Sequence, residues 1–308
     1  MSQTAVAEAS TAPHAVARRA LLVINPKARQ GQADIGPALN RLEAAGLDIV
    51  QESFRSPGEV SDDIVKRGAD VDIVVVCGGD GTINAAARGV MAVKKPMGIF
   101  PMGTANDLAR TLGIPADPLG AAEVIAAGLT RRIDVGEVNG HPFFNVASIG
   151  LSAELARSLT AETKRRWGRF GYAVAAFRAL AAARPFTATI RSATGTEATV
   201  KTMQIAIGNG VHYGGGNVVD AAAAIDDGHL DLYSLEVGSV WKLALMLPSF
   251  RNGRHGAWKE VRTERCTGFD IETRRPRPVN TDGELVTFTP AHVRVIPEAI
   301  EVFAPPAQ

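Results

Sequence analysis

Apolar residues in the first half of the chain fall into short unbroken runs separated by stretches with helical spacing. Ala20–Ile24 (ALLVI) is apolar throughout and stops at Asn25-Pro26. In Ile35–Ala45 the residues Ile35, Leu39 and Leu42 share one helical face, and Gly46 marks a stop. Leu47–Val50 reads as a strand and Val60–Lys66 as a helix. Asp72–Cys77 (DIVVVC) is the most deeply apolar run, a further helix begins after Gly81, and Met97–Phe100 is a strand leading into a glycine-containing loop. Short β-branched runs alternating with helices predict a parallel sheet covered on both faces, hence a doubly wound α/β domain.

The pattern changes after about Arg131. Ile133–Val138, Phe143–Val146, Thr187–Ile190, Thr199–Ile207, Leu230–Leu235, Gly268–Glu272 and Val286–Phe288 are strand candidates without regular helices between them. Asn139-Gly140 suits a two-residue hairpin turn. This half predicts an antiparallel β-sandwich interrupted by one main helical insertion, the alanine-rich Tyr172–Ala183. The alternation over His292–Phe303 suggests a return to the first domain. The expected division is a disordered tail at 1–17, an α/β domain at 18–135 with the return at about 290–308, and a β-rich domain at 136–289.

Composition narrows the function. The chain has 308 residues, and its 33 lysines and arginines nearly balance 32 aspartates and glutamates. Such balance gives no basic footprint for nucleic acid. The two cysteines, Cys77 and Cys266, lie far apart and fit a reducing compartment. No run approaches the roughly 18 apolar residues of a membrane span. A cytoplasmic protein whose membrane contact is peripheral and transient is the expectation, with a homodimer among the open assembly states. The six histidines show no metal-ligand spacing.

The candidate chemistry lies in three loops at strand ends. Gly78-Gly79-Asp80-Gly81-Thr82 joins the most apolar strand to a helix. Glycines there let backbone approach a phosphate, and a helix N-terminus offers it N–H groups. The Asp80 carboxylate would repel a phosphate by itself, which suggests a magnesium ion or a hydrogen-bonded network between them. Neither GxxxxGK[ST] nor GxGxxG is present, since Asn84 stands at the third glycine position of the latter. Asn25-Pro26-Lys27 follows the first strand, and Pro101-Met102-Gly103-Thr104-Ala105-Asn106-Asp107 follows another. Loops at the carboxyl edge of an α/β sheet are where such folds bind ligands.

NPK, GGDGT and PMGTANDLAR, in this order and spacing, resemble the diacylglycerol-kinase catalytic domain, a family of bacterial lipid kinases and sphingosine kinases. The resemblance continues through Ile133-Asp134-Val135-Gly136, Phe144–Leu151, Gly208-Asn209-Gly210, Asp226–Asp231 and Thr281-Asp282-Gly283-Glu284. It implies a Rossmann-like first domain akin to NAD kinase, a β-sandwich second domain, and an active site in the cleft between them. It implies ATP and magnesium as cofactors and a lipid hydroxyl at a membrane surface as acceptor. Gly78, Gly79, Asp80, Gly81, Thr82 and Asn84 would then cradle the ATP phosphates, with Asn25, Lys27, Gly103, Thr104 and Asn106. Asp80, Asp107 and Asp134 match the acidic positions around the catalytic magnesium. The DGE turn supplies the base, with Glu284 favoured and Asp282 its close partner and near equal.

The resemblance also implies a second, structural magnesium on Asp227 and the main-chain carbonyls of Ala224 and His229. Phe54 stands where relatives carry a nucleotide-contacting threonine, with Ser53 and Ser56 as substitutes. Lys164–Arg169 and Trp241–Phe250 are candidate surface-seeking segments. NAD kinase shares the GGDG loop but lacks the TxND run and the late DGE. A nucleotide-binding regulator without turnover is the non-enzymatic alternative.

Overall fold

In the computed structural model, residues 18–24, 34–54, 56–153, 184–210, 212–213, 217–218, 224–237 and 258–306 are described. The first four strands are β1 (Arg18–Ile24), β2 (Leu47–Ser53), β3 (Ile73–Gly78) and β4 (Met97–Pro101), all parallel, in the order β2-β1-β3-β4. The helices around them are α1 (Gly36–Ala44), α2 (Val60–Arg67), α3 (Asp80–Val93), α4 (Asp107–Leu112) and α5 (Pro118–Ala127). β3 lies at the centre and all six of its residues are buried, as its unbroken apolar run requires. The chain moves outward from β1 to β2 and then back across to β3 and β4. Right-handed crossovers therefore place α1 on one face and α2 and α3 on the other. The observed packing of α1 on α5 and of α2 on α3 agrees. Strand order reverses between β1 and β3, so the ligand crevice of this sheet opens beyond their carboxyl ends.

The remaining strands are β5 (Thr130–Val138), β6 (His141–Phe143), β7 (Val146–Gly150), β8 (Phe186–Ser192), β9 (Glu197–Thr202), β10 (Gln204–Gly208), β11 (His212–Tyr213), β12 (Asn217–Val218), β13 (Leu230–Leu235), β14 (Val261–Cys266), β15 (Gly268–Thr273), β16 (Pro278–Thr281), β17 (Glu284–Phe288) and β18 (Ala291–Phe303). β5 and β6 form the expected hairpin over Asn139-Gly140, whose φ angles of 49° and 82° are those of a two-residue turn with both central residues left-handed. The first sheet continues past β4 as β18-β15-β8-β9, with β5 attached to β18 and β6 to β5. The second sheet has the order β14-β13-β10-β7-β16-β17 and is antiparallel throughout. Phe143, Ile149, Ile207, Leu232, Phe269 and Val279 share one core between the two sheets. The fold is an α/β domain joined to an antiparallel β-sandwich.

β18 binds the two halves together. It runs antiparallel to β5 and β15, and at its end Val302 pairs with Met97 of β4 in parallel. β5 (Thr130–Val138) runs through the expected boundary at 135, and β18 begins at Ala291, where the return was expected, and pairs with strands of both halves.

Two expected strands divide for identifiable reasons. Thr199–Ile207 becomes β9 and β10, which lie in different sheets, because the Met203 N–H leaves β9's ladder and donates to the Leu235 carbonyl at 2.8 Å. Phe143–Val146 divides because the amides of Phe144, Asn145 and Val146 are claimed by a side chain, Asp282. Helices α4 and α5 and strands β11, β12, β14 and β16 are not marked by the hydrophobic pattern. The insertion Tyr172–Ala183 lies outside the described residues. Among the described residues no helix is long and apolar enough to cross a membrane.

Candidate active site

Two glycine loops meet at the carboxyl edge of the first sheet. β3 ends at Gly78, Gly79 is the N-cap of α3, and the Met102 N–H after β4 donates to the Gly78 carbonyl at 2.9 Å. A Cβ on Gly103 would stand 2.6 Å from the Gly79 Cα, and one on Gly79 would stand 2.9 Å from the Gly103 Cα. Backbone meets backbone there, so only glycine fits at either position. Asn106 fixes the second loop: its side-chain oxygen accepts the Gly103 N–H at 2.8 Å and its amide donates to the Gly103 carbonyl at 3.1 Å. Thr104 is exposed at the tip of this loop. The first-turn amides of α3 at Asp80 and Gly81 have no acceptor four residues back, which makes this end a seat for anionic oxygen.

Asp80 sits at the start of α3, where Oδ1 accepts the Leu108 N–H of α4 at 3.3 Å. Burial pushes its carboxyl above the ordinary range, and the charges of Asp107 and Asp282 push the same way. Asp107 is buried at the first turn of α4.

The Asp134 backbone is joined to this edge through Asn209, whose side-chain amide donates to the carbonyls of Asp134 and Phe144 at 3.0 Å each, but the Asp134 carboxylate has other partners. Its Oδ2 accepts the Gly228 N–H at 2.6 Å and its Oδ1 accepts the Glu298 N–H at 2.8 Å, which places it in the joint between the domains. Among the described residues no three His, Cys, Asp or Glu side chains gather closely enough to hold one ion. Asp80 and Asp107 still suit magnesium, which is ordinarily held by one or two carboxylates together with substrate phosphates and water. A cation held by this pair would offset the repulsion that adds to the rise burial causes at Asp80.

The second domain brings the DGE turn to this edge. Asp282-Gly283, with φ angles of 47° and 97°, forms a two-residue hairpin turn between β16 and β17. Asp282 Oδ1 accepts from the amides of Asn145 at 3.0 Å and Val146 at 2.9 Å. Its Oδ2 accepts from the Phe144 N–H at 2.8 Å and from the Asn84 side-chain amide at 3.0 Å. Burial pushes its carboxyl up, while these hydrogen bonds pull the other way and are of the kind an ionised carboxylate collects at both oxygens. Asn84 also donates to the Pro142 carbonyl at 3.1 Å, so α3 is tied to both the turn and β6.

Glu284 stands two residues further on, exposed at the start of β17. A Cβ on Gly81 would lie 3.0 Å from Glu284 Oε1, so this carboxylate rests against the glycine loop at the start of α3. Desolvation by the surrounding protein raises its carboxyl, and the charge of Asp282 adds to the rise.

The structure thus brings Gly78, Gly79, Asp80, Gly81, Thr82, Asn84, Gly103, Asn106, Asp107, Asp282 and Glu284 to one edge. Asn25 and Lys27 lie outside the described residues. Phe54 is buried in the first-domain core. Asn84, expected at the phosphates, also holds Asp282, a link that no local signal in the sequence marks. The segments Lys164–Arg169 and Trp241–Phe250 also lie outside the described residues.

Comparison with known proteins agrees with this architecture. Residues 19–138 match the model of the diacylglycerol kinase catalytic domain, and residues 145–304 match the YegS C-terminal NAD kinase beta sandwich-like domain. The diacylglycerol kinase of Staphylococcus aureus (strain bovine RF122 / ET3-1) is 27% identical over 295 residues, covering 94% of this chain and 93% of that one. That of strain MRSA252 is also 27% identical over the same length. A crystal structure of a diacylglycerol kinase from Bacillus anthracis str. Sterne superposes with a TM-score of 0.77 at 26% identity, covering 94% of this chain and 98% of that one. With nearly its whole length matched, this chain belongs to the diacylglycerol kinase catalytic-domain family.

Proposed function

We propose that the protein is an ATP-dependent lipid kinase, which transfers the γ-phosphate of ATP to a lipid hydroxyl, with diacylglycerol as the first acceptor to test. The observation that carries this reading is the Glu284 carboxylate, raised above its ordinary range and resting against Gly81 of the phosphate loop. A base beside a phosphate seat, at the junction of two domains, is what transfer to a hydroxyl needs. The Staphylococcus aureus relatives carry the name diacylglycerol kinase, which supports the acceptor class.

In this reading the Gly79–Gly103 contact and the first turn of α3 hold the phosphates. Asp80 and Asp107 would hold magnesium, which supplies charge neutralisation on the phosphate oxygens when bound. Glu284 accepts the proton of the acceptor hydroxyl as its oxygen bonds to the γ-phosphorus and the bond to ADP breaks. Asp282 touches no reacting atom; it is a positioning residue, which fixes the turn through three backbone amides and Asn84. With both its oxygens committed, Asp282 has little capacity left to act as the base.

The test is transfer of labelled γ-phosphate to a panel of lipids in mixed micelles, with Asp80→Asn as a control. The panel holds diacylglycerol, monoacylglycerol, ceramide, sphingosine and phosphatidylglycerol, with NAD as a soluble acceptor. A labelled lipid that disappears with the variant is the expected result. Label on NAD alone, or ATP binding without transfer to any acceptor, would overturn the reading.

A further inference from the structure

The turn from Ala224 to His229 fastens the second domain to the first. Ile225 lies in the first-domain core, and its carbonyl accepts the Asp134 N–H at 2.7 Å. Gly228 donates to the Asp134 carboxylate, and Arg131 approaches Asp226 at 3.8 Å. The family resemblance implies a divalent cation at this turn, on Asp227 and the carbonyls of Ala224 and His229.

Asp227 is already engaged. Its Oδ1 accepts the His229 N–H at 2.9 Å, and its Oδ2 accepts the Ala224 N–H at 3.1 Å. The Arg265 guanidinium pairs with the same Oδ2 through Nη2, and its Nε lies 3.9 Å from Asp231 Oδ1. Strand register explains the reach: β14 runs antiparallel to β13 and sets Arg265 directly opposite Asp231, where β13 leaves the turn. The two side chains therefore share a face, and a long guanidinium bridges both carboxylates. His229 Nδ1 is 2.7 Å from the Asp227 carbonyl oxygen and crowds the turn from the other side. Magnesium demands near-octahedral oxygen ligation at about 2.0–2.1 Å. It would have to share Oδ2 with an arginine that cannot lose its charge. These residues do not fit a resident divalent ion.

We propose that Arg265 takes the place of that ion, so that the interdomain turn is closed by a permanent side-chain cation and needs no metal. The position of Arg265 is decided by its own strand pairing, so the cation arrives as the sandwich folds. Any magnesium requirement of the protein then belongs to the cleft alone. This inference concerns the joint and stands whether or not the acceptor is a lipid.

The test measures metal content and Tm of the nucleotide-free, full-length protein in EDTA and in millimolar magnesium. Wild type, Asp227→Asn, Arg265→Gln and Arg265→Lys are compared. Wild type is expected to purify with far less than one equivalent of divalent metal. Any magnesium-dependent rise in its Tm is expected to persist in Asp227→Asn, which assigns that rise to the cleft. Arg265→Gln is expected to lower Tm in EDTA by roughly 1–4 °C, the range for one half-exposed ion pair in a chain of this size. Arg265→Lys, which keeps the charge, is expected to fall less. One equivalent of metal, or a magnesium-dependent rise in Tm, that Asp227→Asn abolishes would overturn the proposal. So would an Arg265→Gln variant with wild-type Tm in EDTA. If that variant fails to fold, the wild-type and Asp227→Asn measurements still decide.

Discussion

At the scale of single residues, the two carboxylates of the DGE turn have different duties because their surroundings differ. Asp282 accepts four hydrogen bonds and Glu284 faces the glycine loop at the start of α3. Replacing Asp282 by Asn sets an NH2 group against backbone donors, a loss of about 1–3 kcal/mol. At roughly 2–4 °C per kcal/mol, Tm should fall measurably in a melt. The same change removes a negative charge that raises Glu284. In the proposed role Glu284 acts in its ionised form, so activity should fall as pH drops through its raised pKa. The acid limb of the kcat profile should therefore lie above the ordinary glutamate value of about 4.3, and Asp282→Asn should move it to lower pH. Asp80 carries the opposite lesson for stability. A carboxyl raised by burial holds its proton more tightly folded than unfolded, so its stabilisation is present at low pH and lost as pH rises through the raised value. Asp80→Asn should thus raise Tm at neutral pH in metal-free buffer while abolishing transfer. An unchanged or lower Tm would argue against a strained carboxylate there.

Among elements, the decisive contact is between the loops after β3 and β4. Gly103→Ala would force a methyl group onto the Gly79 backbone, an overpacking of about 1–3 kcal/mol that the loops can relieve only by separating. The KM for ATP should rise about tenfold or more and Tm should fall, at roughly 2–4 °C per kcal/mol, and a wild-type KM would contradict the arrangement. Much at this scale was legible beforehand. The apolar run before GGDGT predicted a buried strand, and Asn139-Gly140 predicted its hairpin. Asp282-Gly283 is equally local, a dipeptide that can take left-handed φ at both positions. The partners of Asp282 were not legible, because Asn84 lies 198 residues away and the other three donors are backbone amides that carry no sequence signature. The break at Met203 was hidden because Thr199–Ile207 contains no glycine, proline or asparagine to mark a change of sheet. Arg265 was hidden for a similar reason: its meaning depends on the register that puts it opposite Asp231.

For the whole molecule, the two-part reading was right about fold class, yet the halves are less separate than composition suggested. β5 and β18 run through both, and the long sheet is continuous from β2 to β9. Calorimetry should therefore show one cooperative transition, with calorimetric and van't Hoff enthalpies nearly equal, and two resolved peaks would contradict this continuity. Glu284 of the second domain is held against Gly81 of the first, and the proposed function rests on that juxtaposition. The most direct measurement of the central claim is transfer of labelled γ-phosphate from ATP to diacylglycerol in mixed micelles by wild type and Glu284→Gln. The account expects transfer by wild type, and a loss of about 10²–10⁴-fold in Glu284→Gln with Tm and ATP binding retained. Transfer at the wild-type rate by Glu284→Gln would contradict it.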